Sequence, residues 1–184
     1  MQKKKLIQLF SSVALLSGLV ACVTTYVPPA VGNTAQLSIR PTMLMGRSFR
    51  LDLFQNPVAC TGPMTVVRGD GPTNQHTTRI PANVLNTLSL EGFQTGGRCT
   101  VNFSFLPKTG HSYLVDAGMD ESGCIAILYD VTEAGKPRLE ESWTRRNING
   151  KQCVPLNESM RLPPLKSTSP KNSLDDFKDL LPVR

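Results

Sequence analysis

Two histidines, His76 and His111, are the side chains whose type best suits moving a proton near neutral pH. Each falls in a stretch of turn composition, His76 within Thr73-Asn74-Gln75-His76-Thr77 and His111 directly after Pro107-Lys108-Thr109-Gly110. A solvated turn imidazole has no fixed partner, so neither is expected to serve as a base. The carboxylates offer no more. Glu140 and Glu141 are adjacent, and neighbours on a strand point to opposite faces, which prevents joint acid and base work on one bond. Asp120 and Glu121 share a turn with Ser122 and Gly123, too few oxygen ligands at regular spacing for a calcium loop. The chain contains no Gly-x-Ser-x-Gly elbow, His-Glu-x-x-His helix or Gly-x-x-x-x-Gly-Lys phosphate loop. The expectation is a protein that is not an enzyme and carries no cofactor.

A sharper chemical signal sits at Cys22. Lys3, Lys4 and Lys5 precede an uncharged, largely apolar run from Leu6 to Val20, and the run ends in Leu19-Val20-Ala21-Cys22. A basic start, an apolar stretch and a small residue before the junction suit translocation and cleavage. The run is about fifteen residues, short of the roughly twenty that span a bilayer as a helix. The tetrapeptide resembles the lipobox of bacterial lipoproteins. That resemblance implies a signal peptide over 1–21 and a Cys22 thiol carrying palmitate-class acyl chains as the first residue of the mature protein. Two or more chains hold a protein on a membrane stably, where one does so only marginally. The lipoprotein sorting pattern of Gram-negative bacteria implies, with Val23 rather than Asp after the cysteine, the outer membrane.

The other cysteines, Cys60, Cys99, Cys124 and Cys153, are even in number. In a chain exported to an oxidising compartment they are expected to form two disulfides. Four cysteines allow three connectivities. Pairing Cys60 with Cys99 and Cys124 with Cys153 is preferred, because each bond closes a short loop between consecutive strands. No pair has the two-to-four-residue spacing of zinc sites, so no metal is expected.

The formal charge of +6 overstates the basicity of the mature chain, because residues 1–21 hold three lysines and no acid. The arginines are spread out and interleaved with few aromatics, which excludes a nucleic-acid stripe. Arg68-Gly69-Asp70 matches an integrin-recognition tripeptide, and Asn102-Phe103-Ser104 matches a glycosylation acceptor. Both patterns are short enough to arise by chance, and neither is carried forward as a site.

Alternation of period two then points to strands. Leu37 and Ile39 oppose Ser38 and Arg40; Phe49, Leu51 and Leu53 oppose Ser48, Arg50 and Asp52. From Arg98 to Phe105 the apolar set is Cys99, Val101, Phe103 and Phe105. Tyr113, Val115 and Ala117 follow after the 107–110 turn, which predicts a hairpin. Cys124 to Val131 is almost continuously apolar and predicts a strand covered on both faces. Leu139 to Arg145, with Trp143, predicts the last strand of an antiparallel meander. Residues 69–74 are expected to be loop. Residues 84–90 fit a strand or a short helix, with strand preferred.

The fold expected is all-β, an antiparallel β-sandwich of about seven strands, immunoglobulin-like or transthyretin-like, with a short C-terminal helix. Its parts are a signal peptide over 1–21, a lipidated tether over 22–35, a sandwich over 36–153, a proline-rich linker over 154–172 and an amphipathic tail over 173–184. In the tail, Leu174, Phe177 and Leu181 line one helical face, and so short a helix needs a surface to lie on. Phe103-Ser104-Phe105-Leu106-Pro107, Gly110, Tyr113, Gly123-Cys124 and Asp130 are similar to small cysteine-bearing β-sandwich lipoproteins of proteobacterial envelopes; the likeness carries over no functional residue. The expected function is a lipid-anchored, periplasm-facing outer-membrane module for binding or scaffolding. Its partners would be the membrane, through the N-terminal lipid, and an envelope protein, through the tail. A surface adhesin using loop 68–78 and a periplasmic hydrolase are the alternatives.

Overall fold

The computed structural model describes residues 24–41, 48–70, 75–94, 97–120, 123–147 and 153–159. Cys22 and the tail residues Leu174, Phe177 and Leu181 lie outside them. Two mixed β-sheets pack face to face. One has the order β1 (Thr24–Thr25), β4 (Thr61–Asp70), β3 (Ser48–Asn56), β6 (Asn86–Gln94), β7 (Gly97–Phe105), β11 (Thr144–Arg145). The other has the order β10 (Arg138–Leu139), β9 (Gly123–Asp130), β8 (Ser112–Asp120), β2 (Thr34–Pro41), β5 (His76–Pro81). A single-turn helix, α1 (Leu156–Ser159), follows.

The alternating segments behave as period two requires. Leu37 and Ile39 of β2, Phe49, Leu51 and Leu53 of β3, and Val101, Phe103 and Phe105 of β7 are all buried in one core. Residues 86–94 form a strand, with Leu88 and Leu90 buried. Fully burying side chains of this size stabilises by about 1.5–3 kcal/mol each.

Several expectations are corrected. The sandwich has more than seven strands and is not purely antiparallel, since β1 pairs with β4 and β2 with β8 in parallel. The predicted hairpin of β7 and β8 does not form: β7 lies in one sheet and β8 in the other. Each strand has one apolar face, and the two faces are buried by facing each other across the core, with the Phe105 and Tyr113 rings 5.2 Å apart. The turn between them is tied to β2 instead, where Gly110 N–H donates to Thr34 O and Gln36 N–H to His111 O. Strand β9 is covered on one face only. Cys124, Ala126 and Leu128 are buried while Ile125, Ile127 and Tyr129 are half-buried, because the other sheet packs on the inner face and, among the described residues, no third layer packs on the outer one. The predicted strand over 139–145 is broken at Glu140, whose carboxylate accepts from the Ser142 N–H and hydroxyl. The chain there passes from one sheet to the other, β10 to β11. Residues 69 and 70 belong to β4 rather than to a loop.

The two disulfides are Cys60–Cys153 and Cys99–Cys124, not the pairing preferred from loop length. Cys99 and Cys124 sit on β7 and β9, strands of opposite sheets. Cys60 lies at the other end of the sandwich, beside the Phe105 end of β7. Six residues of β7, about 20 Å of strand, separate that end from Cys99, which precludes a bond.

Candidate functional site

Among the described residues, several arrangements bring polar or reactive groups together. The first is the start of the described chain. Thr24 and Thr25 pair in register with Met64 and Thr65, and Tyr26 N–H donates to Thr65 O. The Tyr26 ring is buried between the sheets, and its hydroxyl donates to Arg79 O of β5 at 2.9 Å. Burial pushes the Tyr26 pKa up to about 12, because the phenolate would lose its water. Residues 24–26, expected to be part of an extended tether, thus form a strap from the β4 edge to β5.

Beside this strap is a cavity of about 150 Å³, lined by Leu37, Ile39, Leu51, Val66, Val67, His76, Thr77 and Thr78. A register shift between Leu51 and Asp52 leaves Val66 as an extra residue opposite β3. This bulge brings two successive valines to the same cavity. His76 closes its rim, with its ring 5.9 Å from Phe49. The lining supplies one imidazole, two hydroxyls and no carboxylate, so it suits a small apolar guest better than proton transfer. Thr77 is already committed to the Ser38 hydroxyl at 2.9 Å.

His111 is the more organised of the two histidines. Its Nδ1 lies 2.7 Å from Asp130 Oδ2, and its ring stacks on Tyr113 at 6.1 Å. Desolvation of Asp130 is outweighed by hydrogen bonds from Thr132 and His111, so its pKa is lowered. The turn composition around His111 hid this pair, because Asp130 arrives from the end of β9 by tertiary pairing. An imidazole oriented by a carboxylate is two of the three members of a hydrolytic triad. Among the described residues no hydroxyl or thiol bonds to its other ring nitrogen.

The outer face of the six-stranded sheet carries an ion network that residue spacing did not disclose. Arg50 lies 2.9 Å from Asp52 and 2.8 Å from Glu91, and Arg98 lies 3.3 Å from Glu91. The Thr65 hydroxyl also donates to Asp52. Alternation along β3 puts Arg50 and Asp52 on one face, but only the β3/β6 register places Glu91 beside them. Both carboxylates are engaged by arginine, which makes the cluster a brace between strands.

The carboxylates considered from sequence are dispersed. Glu140 caps its own turn, and Asp120 ends β8. Arg68 and Gly69 lie in β4 opposite Arg50 and Phe49, so the Arg-Gly-Asp tripeptide begins in a paired strand. A Cβ at Gly69 would stand 2.5 Å from the Phe49 ring, which accounts for glycine there by packing alone. No family model matches the chain, and no curated protein does.

Proposed function

We propose that the chain is a lipid-anchored outer-membrane lipoprotein, held by palmitate-class acylation of Cys22, whose sandwich is a non-catalytic binding or scaffolding module facing the periplasm. The observation that carries this reading is the segment from Lys3 to Cys22, with its basic start, its uncharged apolar run and Leu19-Val20-Ala21-Cys22. Two disulfides support export, since such bonds persist in oxidising compartments. The test is metabolic labelling with a palmitate analogue, followed by separation of inner and outer membranes. Wild type should be labelled and sediment with the outer membrane, and Cys22→Ser should be unlabelled and uncleaved. Equal labelling of the two would refute the assignment.

The hydrolase reading has one observation in its favour, the His111–Asp130 pair at 2.7 Å. An organophosphonate probe for activated serines decides it. Labelling that disappears in His111→Ala would support hydrolysis, and no labelling of the wild type removes that reading.

A further inference from the structure

The polarity of β1 says where a lipid on Cys22 must emerge. Strand β1 runs parallel to β4, with Thr24 opposite Met64 and Thr25 opposite Thr65. Strand β1 therefore enters the sheet from the Thr61 side of β4. Cys22 is two residues before Thr24, so it lies within about 7 Å of it, at roughly 3.3–3.6 Å per residue. The anchor has almost no slack.

The same end of the sandwich carries the loops 57–60, 82–85, 106–111 and 131–137. Strand β3 ends there and β4 begins, β6 begins opposite the end of β7, and β8 begins beside β2. Three of these loops present an apolar tip, with Val58 56 %, Val84 51 % and Leu106 48 % exposed, and the fourth carries the exposed Glu133–Lys136 ion pair. Val31, 87 % exposed, stands two residues before Asn33, whose carbonyl receives the Ala82 N–H at this end.

These tips are held in place. Asn56 Oδ1 accepts from the Val58 and Ala59 N–H groups, and the buried Arg146 guanidinium donates to Pro57 O and Val58 O. The 82–85 loop is tied to the 106–111 loop, with Asn83 N–H donating to Pro107 O and Asn83 Nδ2 to Thr109 Oγ1. Ordered loops with apolar tips at the end from which β1 enters form a surface that loses little freedom on contact. Apolar tips and a nearby lysine, Lys108, are the side chains that an interfacial surface accommodates.

We propose that this end of the sandwich lies against the bilayer, with Val58, Val84 and Leu106 in the interface, so that the anchor and the loops together fix the orientation of the domain. The placement rests on the lipoprotein reading above. It follows from the edge at which β1 enters the sheet.

The test uses the acylated protein in phosphatidylethanolamine/phosphatidylglycerol vesicles whose acyl chains carry bromine, a quencher of indole fluorescence. In a Trp143→Phe background, single reporters are introduced as Val58→Trp, Val84→Trp and Leu106→Trp. Gly97→Trp serves as the distal reporter, at the other end of β7, where an added Cβ meets nothing within 4 Å. Loop reporters in the interface should be quenched about twofold or more, and the distal reporter hardly at all. As a measurement on the unsubstituted protein, amide exchange in 57–60, 82–85 and 106–111 should slow on vesicles relative to a soluble chain begun at Val23. If intact mass shows no acyl group on Cys22, the lipoprotein reading and the placement fall together. If the acylated chain is on the vesicles but the loop reporters match Gly97→Trp and exchange is unchanged, the placement alone falls. The tips would then be left for a protein partner or a second copy.

Discussion

Arg146 is fully buried and, among the described residues, has no carboxylate to neutralise it. Its guanidinium is satisfied by carbonyls and hydroxyls, donating to Val154 O, Pro57 O, Val58 O, Ser104 Oγ and Thr87 Oγ1. Desolvation lowers its pKa from the ordinary value, but five donors in a rigid fork keep the ion in place. Arg146→Met would take the guanidinium donor from Val58 O and leave Pro57 O and Val154 O with only the Thr87 and Ser159 hydroxyls, and a loss of about 2–4 kcal/mol is expected in urea unfolding. A change below about 0.5 kcal/mol, as at an ordinary surface position, would contradict the clamp. Tyr26 yields a prediction with a sign in pH. Its pKa is about 12 in the fold against 10.0 when free. Below pH 10 both states keep the proton, whereas between 10 and about 12 the unfolded chain ionises and the folded one does not. Stability from this residue is therefore complete below that window and lost as pH rises through it. Tyr26→Phe should cost about 1 kcal/mol at pH 9 through the hydrogen bond to Arg79 O, and the gap to wild type should narrow by pH 11. A gap that widens would reverse the assignment.

At the scale of elements, two short pieces have effects beyond their length. Strand β1 contributes two residues to the sheet, yet it delivers the buried Tyr26 across both sheets. A soluble chain begun at Val27 should be less stable than one begun at Val23 by about 2–4 kcal/mol, the scale of deleting a large buried side chain. Equal thermal melts would show that the strap is dispensable. At the other terminus, Val154 and Ser159 are buried and the Ser159 hydroxyl donates to Val154 O and Pro155 O. Residues 154–159 thus belong to the folded body rather than to a linker. A truncation that probes the tail alone removes 160–184. If Leu174, Phe177 and Leu181 dock on an envelope partner, that truncation leaves the melt unchanged, and Phe177→Ala weakens partner binding by about 1–3 kcal/mol. A lower melting temperature on truncation would place the tail on the sandwich.

Across the whole molecule, the two disulfides divide the labour. Cys99–Cys124 joins the two sheets across a separation of 25 residues, whereas Cys60–Cys153 spans 93 residues and ties the C-terminal segment back to the turn after β3. On the loop-entropy account each stabilises by about 3–5 kcal/mol, somewhat more for the longer loop. Peptide mapping without reduction should recover only these two pairs. A Cys60–Cys99 peptide would overturn the topology around the core.

For the alternating segments that became β2, β3, β7 and β8, the sequence by itself determined that they are strands and which face of each is buried. Period two is a local property, and Leu37, Phe49, Val101 and Tyr113 need no knowledge of their partners to declare an inward face. The four cysteines do form the two disulfides that their even number suggested. The sequence did not determine which sheet a strand joins, and so it misplaced β8, the disulfide partners and the corner at Glu140. The apolar face of β8 satisfies a hairpin with β7 and a place opposite it equally well, and only filling the space between Phe105 and Tyr113 chooses. The pairs His111–Asp130 and Arg50–Glu91 and the Arg146 clamp were illegible for the same reason. Register and crossover are set by long-range packing, and chain spacing carries no record of them.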